Sequence, residues 1–278
     1  MTDDSKPPSM MQTYMQGPLK VNGSGGPLTK DEMEAVKAEL EAIKAKSGMK
    51  EPERAYMGGE DIKWRFGGPP DYSLVNLLYL KGKTKNHAPD SLELIVENLV
   101  KTWEMERSHK MDVRQHQSVD PTFKISANGG KRFGNEDSHA AGNYNVLLST
   151  CPAELWDGEN TSWEQSHKKF HDAFAAFPWE LLEVFSGPPK VAFSWRHWAH
   201  FTGSYEGNKG QGELVESFGF GVATVSDQLK LLDIEIYYRP ERMLEVLEGK
   251  RPASDLQQGK DLLGPAAKGS CPYIQSGL

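Results

Sequence analysis

The sequence predicts an α+β fold in which helices come first and then close over a curved, cone-shaped antiparallel sheet. In the N-terminal half, apolar residues recur every three or four positions. The C-terminal third carries long runs of aromatic and β-branched residues, KVAFSWRHWAHF, ELVESFGFGVATV and LKLLDIEIYYRP. Gly219 and Gly221 sit inside the second run, where a bulge or bend would curve the sheet.

The elements follow in order. Residues 1–28 lack periodicity and read as a mobile tail. Thr29 with Glu32 forms a capping box, and Met33, Val36, Leu40 and Ile43 make a thin apolar stripe that Gly48 ends. This extra N-terminal helix reads as an appendage. A loop-rich stretch from Glu51 to Pro70 precedes a helical segment, Tyr72 to Leu80. A long helix runs from Ser91 to Lys110, with Leu92, Ile95, Val96, Leu99 and Trp103 on its apolar face. Val119 to Phe133 reads as extended with a Gly129-Gly130 turn; further helices are predicted near Ala140 to Thr150 and Trp163 to Phe177. Ser226-Asp227-Gln228 joins the last two strands, and an amphipathic segment from Pro240 to Glu248 closes the domain. The expected division is 1–50, 51–248 and a C-terminal tail, 249–278.

The 278 residues include 32 Lys plus Arg against 39 Asp plus Glu, a net charge of −7. That balance disfavours a nucleic-acid or anionic-membrane surface, which needs a positive footprint. Apolar residues make up 37% and charged residues 26%, which excludes wholesale disorder. No apolar run reaches the roughly 18 residues of a spanning helix. The start, MTDDSKPPSMM, has no secretory pattern, and Ser276-Gly277-Leu278 lacks the basic centre of a peroxisomal ending, so a cytoplasmic location is expected. Cys151 and Cys271, 120 positions apart, make neither a disulfide framework nor a zinc site. Each precedes a proline, and the pairs read as loop thiols rather than haem ligands. No cofactor is expected.

Strand parity nominates the site. Val191, Phe193, Trp195, His197, Ala199 and Phe201 share the better core face, opposite Ala192, Ser194, Arg196, Trp198 and His200. Leu214, Glu216, Phe218, Phe220, Val222 and Thr224 read as the inward set of the next strand, and Ile234, Ile236 and Tyr238 as that of the last. An acid and an imidazole in apolar faces would have pKa values moved toward proton transfer, which makes His197 and Glu216 catalytic candidates. On the long helix, Glu106 and His109 meet at i, i+3 and join them. Trp103, Trp195, Phe218 and Tyr237 are the candidate ligand-binding residues. Two Glu-x-x-His motifs, Glu106/His109 and Glu164/His167 with His171 one turn on, offer a metal site as an alternative. Trp198, Arg196 and Tyr237 on the outer face suggest a homodimer, unless the N-terminal helix or the C-terminal tail covers that face instead.

Several motifs carry a resemblance. Trp64-Arg65, GGPPDY, Thr84-Lys85, KTWEMERSHK (Lys101 to Lys110), Val119-Asp120-Pro121, Asn143-Tyr144-Asn145, SGPP, Arg196-His197-Trp198, GELVE (Gly212 to Glu216) and IEIYY resemble the plant pathogen-related protein family in order and spacing. The resemblance spans about Tyr56 to Glu248 and leaves out the first helix and the tail. It implies the polyketide-cyclase-like (SnoaL-like) branch of the nuclear transport factor 2-like superfamily: a cone of curved sheet closed by helices, usually dimeric through the outer face. The family brings no established reaction, and the cyclases' acid/base dyad has no motif match here. The expected function is binding of a hydrophobic small molecule in an apolar pocket, with isomerase-, cyclase- or dehydratase-type proton transfer. In that scheme Glu216 or Glu106 takes a proton and His197 or His109 donates one. The alternative is a non-catalytic stress- or pathogen-response carrier or interaction protein.

Overall fold

Thr29 opens the first helix, α1 (Lys30–Ser47), through the capping box its sequence predicts: its hydroxyl accepts from the Glu32 N–H at 3.3 Å and its own N–H donates to Glu32 Oε2 at 2.7 Å. Gly48 ends it at φ +70°. The structure is a computed structural model in which residues 28–59 and 61–256 are described. The N-terminal tail, most of the C-terminal tail and Cys271 lie outside those residues. Two helices follow α1: α2 (Ser73–Gly82) and α3 (Leu92–His109), the latter capped by the Ser91 hydroxyl.

A 3-10 turn (Val113–Gln115) leads from α3 to β1 (Val119–Ala127) and β2 (Phe133–Gly134). The block expected near 140–150 is two short helices, α4 (Asn135–Ala141) and α5 (Asn143–Leu147), broken at Gly142. Gly142 has φ +86°, and a Cβ there would meet Trp163 Cδ1 at 2.6 Å, so glycine is required twice over. Helix α6 (Trp163–Ala173) stops short of Phe177, because Phe174 instead bridges to Phe201.

The C-terminal half supplies β3 (Trp179–Ser186), β4 (Lys190–Phe201), a small hairpin of β5 (Ser204–Tyr205) and β6 (Asn208–Lys209), then β7 (Glu213–Val225), β8 (Leu231–Tyr238) and α7 (Pro240–Leu247). The large sheet has the order β2-β1-β8-β7-β4-β3. It is mixed rather than antiparallel, since β1 runs parallel to β8, with Ile125 opposite Ile234. Strand β3 was not expected from sequence. WELLEVF lacks alternation and is rich in helix formers, and its pairing with β4 decides its state. A 3-10 turn at Ala253–Leu256 buries Leu256 in the core around Phe170, Phe201 and Leu244, so the domain runs past Glu248.

The inner face is as predicted for β4 and β8 and reversed for β7. Val215, Ser217, Ala223 and Val225 are buried inward, and Glu216, Phe218, Phe220 and Val222 face outward. The cause is steric. Trp195 and Phe193 on β4 lie over Gly219 and Gly221, where a Cβ would come within 2.4 Å of either ring. The glycines are therefore the inward residues, and the bulky aromatics of β7 take the other side.

Part of the outer face is covered by the chain itself. Leu40 of α1 and Leu77 and Leu80 of α2 pack with Trp198, which is 5% exposed. Trp198 does point away from the inner face, as parity predicts, but its ring lies under α2, 2.7 Å from where a Cβ on Gly82 would sit. The expectation that this tryptophan needs a second subunit is thus corrected. Helix α1, read as an appendage, is part of that lid.

Candidate functional site

The last two and a half turns of α3 and the residue that caps them hold KTWEMERSHK, and each face of this segment meets a different part of the molecule. Trp103 and Met105 are buried, Trp103 against Phe123 of β1. Lys101 is 5% exposed; its Nζ donates to the Trp179 carbonyl at 2.6 Å, and burial pushes its pKa down to about 7. Thr102 accepts from the Ala55 N–H at 3.0 Å.

Glu106 is fully buried, and its carboxylate is saturated. It accepts from the N–H groups of Gln117 and Ser118, from the Ser118 hydroxyl at 2.6 Å and from Lys110 Nζ at 2.8 Å. Every lone pair has a donor, which describes a structural anchor of the turn into β1. Glu106 and His109 do not meet.

His109 meets Glu104 instead. The Tyr72 hydroxyl donates to Glu104 Oε2 at 2.9 Å and lies 3.5 Å from His109 Nδ1. Arg54 stacks 3.6 Å above the Tyr72 ring. His109 Nδ1 donates to the Met105 carbonyl at 3.2 Å, which fixes the tautomer and leaves Nε2 with a lone pair. Burial lowers the His109 pKa, opposed by nearby Glu104, so the ring is neutral near pH 7. A neutral Nδ1–H imidazole accepts a proton at Nε2 and cannot donate one there, which inverts the role expected from sequence.

Helices α5 and α6 close this region. Burial takes the His171 pKa down to about 4; His109 lowers it further, and Asp172 and Glu104 oppose the shift. Tyr144 stacks on Phe170 at 4.1 Å, and burial followed by Glu104 raises the pKa of its phenol, so it stays a proton-bearing donor. Glu104 and Tyr144 are not site candidates in the sequence reading, and His171 enters it only as a metal ligand one turn beyond His167. Glu104 lies five positions before His109, off the i, i+3 and i, i+4 spacings, and its link to His109 runs through Tyr72, the residue before α2.

His197 does face inward among aromatics. It stacks on Phe177 at 3.5 Å, donates from Nε2 to the Phe177 carbonyl at 2.8 Å, and burial drives its pKa down to about 3. Glu216 is on the opposite face, where Arg196 binds it, so these two catalytic candidates are not brought together. Trp103 and Trp195 belong to the inner core, and both indole Nε1 atoms are buried without an acceptor. Phe218 is on the outer face, which corrects its inward placement; Tyr237 is on the outer face that parity gave it, exposed and donating to Glu235, and so lies away from Trp103 and Trp195.

The two Glu-x-x-His motifs do not form a metal centre. Glu106 is enclosed by its own donors, Glu164 is exposed, and His167 Nδ1 donates to the Trp163 carbonyl at 2.8 Å. Among the described residues no group of three His, Cys, Asp or Glu side chains is arranged to hold a metal ion. Cys151 is a free, half-buried thiol whose pKa burial raises to about 12, the opposite of an activated thiolate.

Two open clefts lie outside the inner sheet face. One, of about 500 Å³, is lined by Lys168, Lys169, Tyr205 and Glu206 among others. The other, of about 430 Å³, is lined by Arg54, Met57, Pro70, Tyr72 and Asn76 among others, and shares Tyr72 with the Tyr72–Glu104–His109 group. No helix among the described residues is long and apolar enough to cross a membrane.

No protein-family model matches the chain. A barley (Hordeum vulgare) protein named "Pathogen-related protein" is 38% identical over 195 residues, which cover 66% of this chain and 83% of that one. Among solved structures, a protein from Jannaschia sp. assigned as a SnoaL-like polyketide cyclase is 11% identical, with a TM-score of 0.35 over 61% of this chain and 99% of its own. A nuclear transport factor 2-like protein of unknown function from Exiguobacterium sp. is 9% identical, with a TM-score of 0.28 over 49% of this chain and 91% of its own. These structural likenesses are too distant to carry chemistry. The identity to the barley protein, over most of its length, is decisive: the chain belongs to the pathogen-related protein family.

Proposed function

We propose that the protein binds a small enolisable carbonyl compound beside Tyr72, Glu104 and His109 and moves a proton on it. The observation that carries this reading is the His109 tautomer. With Nδ1 tied to the Met105 carbonyl and the ring kept neutral by burial, Nε2 is a base at neutral pH. Glu104, held by the Tyr72 hydroxyl, adds negative charge that favours the imidazolium formed when His109 takes the proton. Tyr144 keeps its phenolic proton and is the donor available to a developing enolate oxygen. The reaction class is proton abstraction next to a carbonyl, as in an isomerase, cyclase or dehydratase, with no cofactor in the step.

The test is deuterium exchange at the carbon next to the carbonyl of 1-indanone or acetylacetone in D₂O. Exchange above the buffer rate, abolished in His109→Ala and reduced at least tenfold in Glu104→Gln, supports the proposal. Saturable binding without exchange in the parent favours the carrier reading, and neither binding nor exchange overturns both.

A second observation favours self-association through the uncovered part of the outer face. Phe185, Phe220, Val222 and Tyr237 are 55%, 41%, 37% and 39% exposed there, with the Phe185 and Phe220 rings 6.1 Å apart. Rings left in water next to a covered half of the same sheet suit a second copy of the chain as the cover. Sedimentation that gives about twice 31.0 kDa for the parent, and the monomer for Phe220→Ser, supports it. A monomeric parent at high concentration rules it out.

A further inference from the structure

Arg54 lies 3.6 Å over the Tyr72 ring and lines the cleft of about 430 Å³ that shares Tyr72 with the proton-transfer group. Its Nη1 donates to the Asn76 amide oxygen at 2.9 Å. Its Nε is buried without an acceptor, and Nη2 makes no hydrogen bond among the described residues. Nε and Nη2 form the edge by which a guanidinium grips a carboxylate with two parallel bonds. Arg196 turns this edge to Glu216, and Arg114 turns it to Asp112. In Arg54 the same edge has no partner among the described residues.

The chemistry of the lining shows what suits that edge. Glu51, Arg54 and Asp71 are its charged residues. Glu51 is engaged at both oxygens, by Lys44 Nζ at 2.7 Å and Asn76 Nδ2 at 2.6 Å. Asp71 takes Lys37 Nζ at 2.8 Å and the Ser73 N–H at 2.9 Å. Arg54 has no carboxylate within salt-bridge distance among the described residues. The acids of the cleft are thus taken, and its unengaged edge is a pair of donors carrying positive charge. Pro52, Met57, Pro69, Pro70 and the Tyr72 ring give the cleft its apolar walls, the last three from GGPPDY. A cation meets Arg54 and finds both carboxylates occupied. A dianion exceeds the single guanidinium charge and lies near two acids. One carboxylate on an apolar body matches both the fork and the walls.

Arg54 also belongs with the reacting group. It acts electrostatically on Tyr72 and His109, and the Tyr72 and His109 ring centroids are 5.7 Å apart. When His109 takes a proton, Glu104 balances the imidazolium, and the Arg54 charge remains for the ligand.

We propose that the ligand of the Tyr72–Glu104–His109 site is an oxo acid with an apolar arm, held by its carboxylate on the Nε–Nη2 edge of Arg54. Its reaction rests on the proton-transfer reading; its binding does not. In the step, the C–H electron pair next to the carbonyl shifts to the carbonyl oxygen, the proton passes to His109 Nε2, and Tyr144 donates to that oxygen.

The test separates binding from reaction, at constant ionic strength set by sodium chloride. Binding uses 3-phenylpropanoate and its neutral amide, read by calorimetry and by the Arg54 Nε–H resonance of the ¹⁵N-labelled full chain, assigned by its loss in Arg54→Lys. The acid should bind about tenfold tighter than the amide or better, as a charge-assisted bond implies, and move that resonance saturably. Arg54→Met, which keeps an apolar cover on Tyr72, should make the two affinities equal. Reaction uses phenylpyruvate and its methyl ester, followed by deuterium exchange at C3 in D₂O. A lower KM for the acid than for the ester, lost in Arg54→Met, supports the substrate class. Preferential binding of the acid without exchange above the buffer rate sustains the carboxylate site and overturns the proton-transfer reading. Equal affinities of acid and amide in the parent overturn the carboxylate site, whatever the exchange of 1-indanone shows. So does an Arg54 resonance that chloride moves as far as the acid does. These comparisons are made on the parent, so they hold even where Arg54→Met does not fold.

Discussion

Arg196 and Glu216 face each other across β4 and β7 at 2.7 Å, on the side of the sheet turned away from the inner core. The same guanidinium reaches Glu180 of β3 at 2.9 Å and the Gly82 carbonyl at the end of α2. Glu180 also accepts from Thr84 N, Thr84 Oγ1 and Lys85 N. Three separate stretches of the family resemblance, Thr84-Lys85, Arg196-His197-Trp198 and GELVE, thus converge on one buried node that ties α2 to three strands.

Removing the cation from that node strands two buried carboxylates. Arg196→Met should lower stability by about 3–5 kcal/mol in urea unfolding. Glu216→Gln in the same background should recover part of the loss, because one of the two stranded charges is gone. A loss below about 1 kcal/mol would show that the node contributes little.

Glu104 and Glu106, two positions apart, should separate function from stability. Glu106→Gln leaves one of four donors opposed by an amide N–H and should cost about 1–3 kcal/mol in unfolding, with proton exchange on the probe ketone unchanged in the folded fraction. Glu104→Gln should do the reverse. Equal effects of both variants on exchange would contradict the division.

Buried histidines should make the fold acid-sensitive. Burial depresses the pKa of His116 and His197 to about 3 and of His171 to about 4, against about 6.5 in the unfolded chain. Below pH 6.5 the unfolded chain takes protons that the folded one refuses. The stability these rings contribute is therefore full above pH 6.5 and lost as the pH falls toward 4, by about 1.4 kcal/mol per pH unit for each ring. His197→Gln keeps an N–H for the Phe177 carbonyl and should flatten the pH dependence of the urea midpoint by about one ring's share. An unchanged slope would refute this assignment.

The first helix should be integral to the fold. Leu40 is 4% exposed against Trp198, so Leu40→Ala should cost about 2–5 kcal/mol and shift tryptophan emission to the red. A helix that merely hangs from the domain would lose less than about 0.5 kcal/mol.

Local signals in the chain (caps, the helical period and strict alternation) suffice for the α+β class, the capped first helix, the long third helix and the inner faces of β4 and β8. The remaining features depend on contacts between distant segments. Strand β3 exists because β4 pairs with it, and β1 lies parallel to β8 through contacts more than a hundred residues apart in the chain. The reversal of β7 depends on Trp195 and Phe193 filling the space over Gly219 and Gly221, a fit between two strands that neither run displays alone. His109 was legible as a polar residue at the end of an apolar stripe, but its neighbours are Tyr72 at the start of α2, Glu104 on α3 itself and His171 on α6. Spacing along one helix records only which side chains share a face. Which of them find a partner, and so which acid is an anchor and which is free to react, is settled by what packs against that face.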